Sequence, residues 1–132
     1  MWHIIKPMLH RMKLQTGAFE LVENGVKTLE LRLYDDKRKA IQLHDVVEFL
    51  EVPNFTRKVR VKVTGLLVYP TFASIVDDLP ARLMGYRESE KTYLRTSMYE
   101  VYGAEDEARY GALGIRFIII KGGYIEKDNL DN

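Results

Sequence analysis

Alternation of apolar and polar side chains is clearest in Lys27-Thr28-Leu29-Glu30-Leu31-Arg32-Leu33-Tyr34. A period of two puts Leu29, Leu31 and Leu33 on one face of a strand and Thr28, Glu30, Arg32 and Tyr34 on the other. The same period runs from Arg57 to Tyr69, where Val59, Val61 and Val63 alternate with Lys58, Arg60, Lys62 and Thr64. Gly65 breaks that run and predicts a bulge or bend. Shorter strands are predicted over 11–14, 45–52 and 113–120.

The intervening segments read as short helices and turns. Thr16-Gly17 opens a helix that carries Ala18, Leu21 and Val22 on one face and closes at Asn24-Gly25. Residues 35–39 form a charged turn or a single helical turn, and 71–79 a short helix after Pro70. Ser97-Met98-Tyr99-Glu100 has the spacing of a capping box. It predicts a helix from Ser97 to Tyr102, stopped by Gly103, and a further turn or two follow from Glu105 to Tyr110, stopped by Gly111. The stretch 80–96, rich in Arg and Glu, follows no single period and is expected to contain loop. About five strands and several short helices in mixed order make an α+β domain. Its sheet is expected to be mostly antiparallel and strongly curved, closing toward a small barrel. The domain is expected to span 11–120, after an N-terminal extension at 1–10 and before a frayed C-terminal tail at 121–132.

Composition narrows the function more than the fold. A chain of 132 residues is long enough for one domain and short for two. It has no cysteine, which excludes disulfide staples, thiolate metal ligands and a thiol nucleophile. Its three histidines are His3, His10 and His44, with no metal-ligand spacing, so neither a metal nor a cofactor is expected. The best apolar run, Phe117-Ile118-Ile119-Ile120, is far from the ~20 residues that cross a bilayer, and the N-terminus lacks a signal-peptide core. A cytoplasmic protein with no membrane partner is expected. Net charge is +1, but it is unevenly shared: residues 1–65 carry 12 Lys/Arg against 8 Asp/Glu, and residues 66–132 carry 8 against 11.

The polar face of the 27–34 strand is the one pattern that suggests chemistry. It lines up a hydroxyl, a carboxylate, a guanidinium and a phenol, with the Lys27 ammonium at its mouth. Glu30 and Arg32, two apart, are same-face neighbours able to pair. On an exposed face such a pair contributes only ~0–1 kcal/mol. In a cleft, the Arg32 fork and the Lys27 ammonium suit phosphate or a base edge, with Glu30 orienting them. A lysine amine is also a candidate base or nucleophile. Arg57, Lys58, Arg60 and Lys62 form a basic stripe that reads as edge-strand protection or as a phosphate track. Tyr69, Phe72 and Tyr86 are candidates for stacking on a base.

Met12-Lys13-Leu14-Gln15, Phe19-Glu20-Leu21-Val22 and Gly25-Val26-Lys27-Thr28-Leu29-Glu30-Leu31-Arg32-Leu33-Tyr34-Asp35 together resemble the ASCH (activating signal cointegrator homology) domain family, whose hallmark is G-x-K-x-x-E-x-R. Ile41 to Phe49, Leu67 to Phe72 and Tyr110 to Ile115 resemble further stretches of bacterial members, with His44 where glycine is usual. The resemblance implies a PUA-like fold, a curved β-barrel with helices at its openings. It also implies a positively lined cleft for RNA or a nucleoside or nucleotide ligand, carried by Gly25, Lys27, Glu30 and Arg32. Lys27, Glu30, Arg32, Tyr34, Arg60 and Lys62 are therefore the expected binding residues.

Some members of that family are amidohydrolases acting on acetylated cytidine, using the motif lysine, a threonine three residues later and a later glutamate. Here Lys27 matches, Glu30 stands at the threonine position, and Thr28 lies beside it in sequence. Glu88, Glu90 and Glu100 are the candidates for the later glutamate. Other members cleave single-stranded RNA with the motif lysine, a tyrosine and a serine. An RNA-binding domain is thus the leading expectation. A hydrolase using Lys27 with Thr28 or Glu30 is the alternative, and a protein-interaction module is a second one.

Overall fold

The computed structural model describes residues 6–121. Five strands, β1 (Leu9–Gln15), β2 (Leu29–Leu33), β3 (Val46–Val52), β4 (Lys58–Tyr69) and β5 (Ala112–Ile119), form one curled sheet in the order β1-β3-β4-β5-β2. β1 and β3 are parallel; the other three pairings are antiparallel. Five helices complete the α+β fold: α1 (Thr16–Glu23), α2 (Asp36–Lys39), α3 (Phe72–Asp78), α4 (Lys91–Tyr102) and α5 (Ala104–Tyr110). Two 3₁₀ turns, Ala81–Met84 and Glu88–Glu90, lead into α4. This is the expected α+β fold with a curved, mostly antiparallel five-stranded sheet; the sheet curls into a half-barrel, consistent with a PUA-like architecture. No helix among the described residues is long and apolar enough to cross a membrane.

Two apolar clusters hold the sheet. Inside its curl, Met12, Leu14, Phe19, Val22, Phe49, Val61 and Phe117 pack together, so α1 plugs one mouth of the half-barrel. On the other side, Leu29, Leu31 and Leu33 of β2 pack against Phe72, Ile75 and Val76 of α3, Met84, and Leu94 of α4. The alternation in β2 thus buries its leucines under the helices, as the period of two requires. The register of β4 against β5 shifts between Val63 and Gly65, which is the bulge the glycine predicts.

Some element boundaries depart from the sequence pattern. β1 begins at Leu9, two residues ahead of its predicted start, because Met8 brackets Asp45: its N–H donates to the Asp45 carboxylate at 3.0 Å, and its carbonyl accepts from Val46 N at 2.9 Å. Residues 1–5 and 122–132, which hold most of the expected extension and tail, lie outside the described residues. The larger correction is α4, which starts at Lys91 rather than Ser97. Ser97 is not its cap: it lies inside the helix and donates from Oγ to the Leu94 carbonyl at 2.9 Å. Leu94, Met98 and Tyr102, spaced four apart, supply the inner face. Threonine, serine, tyrosine and arginine between them blur the helical period.

Candidate functional site

The chain reaches the site through a turn that the sequence marks plainly. α1 ends at Asn24, and Gly25 takes the left-handed conformation at φ 77°, which costs glycine little. Val26 and Lys27 then both donate backbone N–H groups to the Leu21 carbonyl, at 2.9 and 3.0 Å. The chain is reversed tightly, and Lys27 arrives just ahead of β2. Because Lys27 and Thr28 precede the strand, the alternation does not govern them. Lys27 joins Glu30 and Arg32 in a shared cleft, whereas Thr28 is outside its lining. The Thr28 backbone instead bonds to Leu83 O and Phe117 N.

At the centre is Glu30, only 6% exposed, with Lys27 beside it at 8%. Lys27 Nζ donates to Glu30 Oε1 at 3.0 Å, and Arg32 Nε donates to Glu30 Oε2 at 2.7 Å. Lys27 Nζ also lies 3.5 Å from the Met84 carbonyl. Arg32 Nη2 reaches across to the Lys13 carbonyl at 2.7 Å, bridging β2 and β1, the two edge strands of the open sheet. Burial alone would raise the Glu30 carboxyl. The Lys27 and Arg32 charges and their hydrogen bonds outweigh it and hold the group below the ordinary carboxylate range. The cluster therefore presents two cations and one anion, a net positive floor.

That floor opens into a cleft of about 480 Å³, within the size range of ligand sites. Lys13, Gln15 and Ala18 line one side; Met84, Tyr86, Tyr93, Ser97, Met98 and Tyr102 line the other. Tyr86 and Tyr93 meet at the mouth with ring centroids 6.3 Å apart, tilted by 47°. Tyr93 is 63% exposed. Tyr102 is fixed by stacking on the buried Phe72 at 5.1 Å. Burial raises the phenol pKa of both Tyr86 and Tyr102, so each remains a neutral O–H donor at neutral pH.

The other sequence candidates lie elsewhere. Tyr34 packs against the core and sits under the Lys39 ammonium at 5.4 Å. Arg60 donates from Nε to Glu48 at 2.8 Å. Lys62 lies on β4, opposite Val46 and Ile118. None of these three lines the cleft. In the basic stripe, Arg57 pairs with Glu51 at 2.6 Å and stands 5.1 Å over the Phe19 ring. Of the candidate glutamates, Glu88 accepts from Ala81 N at 2.6 Å and pairs with Lys91. Glu90 accepts from Arg87 N, and Glu100 is exposed on α4. All three are outside the cleft lining. Tyr69 bonds to Asp78 and Phe72 is fully buried, so of the three stacking candidates Tyr86 alone reaches the cleft. The sequence pattern does not point to Tyr93 and Ser97, because they fall where it predicts loop and a helix cap. The helical spacing Leu94, Met98, Tyr102 was the signal that locates them. Among the described residues no cluster of His, Asp and Glu forms a metal site.

Comparison with known proteins adds the wider setting. No family model matches the sequence, and no curated protein matches it. Solved structures do. The crystal structure of hypothetical protein PH0355 is 29% identical, with a TM-score of 0.74 over 86% of this chain and 100% of that one. Protein PF0455 from Pyrococcus furiosus is 25% identical, with a TM-score of 0.62 over 87% of this chain and 100% of that one. A mutant of ZmASCH from Zymomonas mobilis is 10% identical, with a TM-score of 0.61 over 89% of this chain and 75% of that one; that likeness concerns the fold alone. The fold is that of an ASCH-type small domain.

Proposed function

We propose that the cleft binds single-stranded RNA or a nucleotide. The observation that carries this reading is the meeting of a buried Lys27–Glu30–Arg32 cluster with an open-sided pair of tyrosines. Buried ion triads are poor stabilisers compared with apolar packing of the same volume, so their place in a cleft argues for ligand chemistry. Single-stranded nucleic acid needs what is here: cations for phosphate and aromatic faces for bases. In this reading Arg32 contacts a phosphate or base edge, Lys27 neutralises phosphate, Glu30 holds both, and Tyr86 and Tyr93 stack. Arg60, Lys62 and Tyr34 have no direct part. The ASCH-type fold supports the reading.

The test is fluorescence anisotropy of a dye-labelled oligouridylate at low salt. Wild type should bind, and Tyr93→Ala should weaken binding by about 1–3 kcal/mol, the usual worth of one base–aromatic stack. Tyr93 is mostly exposed, so that variant should fold. Failure of wild type to bind at low salt would overturn the reading.

One observation favours hydrolysis as a second reading: Lys27, Ser97 and three tyrosines line the same cleft. Lys27 would serve as base, and a neutral tyrosine O–H as acid. The acetylcytidine version is the weaker form, since Glu88, Glu90 and Glu100 are outside the lining. Labelled RNA incubated with wild type and with Lys27→Ala, the variant's folding checked by circular dichroism, decides it: equal turnover, or none by wild type, removes this reading.

A further inference from the structure

A second, smaller hollow adjoins the cleft on the far side of Arg32. It has a volume of about 370 Å³ and is lined by Arg11, Met12, Lys13, Arg32, Lys37, Arg38 and Leu50. Its side chains are thus five cations over an apolar floor, with no carboxylate in the lining. Three of the cations have carboxylate partners behind them: Arg11 with Glu48 at 3.1 Å, Arg32 with Glu30 at 2.7 Å, and Arg38 with Asp35 at 2.9 Å. Lys13 and Lys37, both exposed, raise the balance to net positive.

Arg38 supplies an independent sign. Its Nη1 donates to Asp35, but its Nε–H is buried without any hydrogen-bond partner. A buried donor with no acceptor is a standing cost, and nearly all such groups in folded proteins are satisfied. An anion drawing the guanidinium into the adjoining hollow would relieve it. α2, which carries Lys37 and Arg38, is held by Asp35, whose carboxylate accepts from Arg38 N at 3.1 Å. The two cations therefore sit on an anchored turn rather than a free loop.

Lys13 and Arg32 line both this hollow and the tyrosine cleft. A group in one is therefore a side chain's width from a group in the other, as a phosphate is from its base. Arginine forks and lysine ammoniums are the donors that suit phosphate oxygens. We infer that the Arg11–Lys37–Arg38 hollow is a phosphate subsite continuous with the cleft, so that the ligand is a phosphorylated nucleotide chain and not a bare nucleoside. The inference rests on the nucleic-acid reading for its ligand, while the anion site itself stands on the charge and geometry above.

Two measurements test it on the whole chain. In the first, inorganic tripolyphosphate is titrated into isotope-labelled protein, and backbone amide resonances are followed. Saturable shifts at Arg11, Lys37 and Arg38 are expected, and their absence overturns the subsite. In the second, oligouridylate affinity is compared between wild type and the Arg11→Gln/Lys37→Gln double variant over a range of salt. Both positions are exposed, and Glu48 keeps its bond to Arg60. A roughly tenfold loss of affinity is expected, with the log–log salt slope falling by about 0.7 for each cation removed. Unchanged affinity and slope in a variant that still needs Tyr93 overturns the subsite and leaves the cleft reading standing. Tripolyphosphate binding without any oligonucleotide binding does the reverse: it upholds the anion site and removes the nucleic-acid reading.

Discussion

Glu30 is the residue on which the site turns. It is nearly inaccessible, and each of its oxygens faces a different cation. Glu30→Gln leaves Lys27 and Arg32 partly buried without their counter-charge. Breaking a buried ion pair in this way typically costs about 3–5 kcal/mol, and urea unfolding should show a loss of that size. Replacing the whole cluster by apolar side chains (Lys27→Met, Glu30→Leu, Arg32→Met) should recover most of it, while oligonucleotide binding disappears. A triple variant that binds as well as wild type would show the cluster to be scaffolding. The sequence made this trio visible because the spacing of Glu30 and Arg32 sets them on one strand face. It placed Thr28 beside them as well, since the pattern does not reveal that the regular strand begins only at Leu29.

At the level of elements, the features with strong local rules were legible and those shaped by tertiary contact were not. The leucine alternation of β2, the valines of β4, the Gly65 bulge and the glycine stops at Gly103 and Gly111 each follow from backbone geometry. α4 was obscured because its outer face is neither consistently charged nor apolar. It is held by Leu94 and by the packing of Met98 and Tyr102, contacts that exist only once α3 is in place. The turn before α4 carries a prediction of its own. Gly85 closes the Ala81–Met84 turn at φ 88°, and a methyl there would stand 2.9 Å from Leu21 Cδ1 and 3.6 Å from Lys27 Cβ. Gly85→Ala should destabilise by about 1–2 kcal/mol from the left-handed backbone alone. It should also weaken ligand binding, because the methyl displaces Leu21, whose carbonyl accepts from the Lys27 N–H. Urea midpoints and the anisotropy assay read the two effects separately, and full binding in a destabilised variant would show that the turn leaves Lys27 undisturbed.

Across the whole molecule, carboxylates are the common currency of cohesion. In Glu30, Asp45 and Glu48, burial works to raise the acid groups, and it is outweighed by hydrogen bonds and charges from Lys27 and Arg32, from His10 with the Gln42 and Met8 amides, and from Arg60 and Arg11 respectively. All three are held below their ordinary values. The unfolded chain therefore takes up protons at a higher pH than the folded one, and stability is lost as pH falls through the folded values. Unfolding free energy should stay level from neutrality to about pH 5 and decline below about 4.5, the ordinary glutamate value. Glu30→Gln should make that decline shallower. A stability that rises on acidification below pH 4.5 would contradict this account.

The hydrogen bond from Arg32 to the Lys13 carbonyl has a mechanical corollary. A strand pair laced by backbone amides can be parted only by unzipping several bonds together. Here Arg32 reaches from β2 to β1, and release of that one charge-assisted hydrogen bond forfeits about 1.5–3 kcal/mol. A phosphate oxygen can take over the carbonyl's role as acceptor without disturbing any ladder. The link between the two edge strands is thus made by the same guanidinium that an incoming anion would grip, and it lies on the wall that the cleft shares with the smaller hollow.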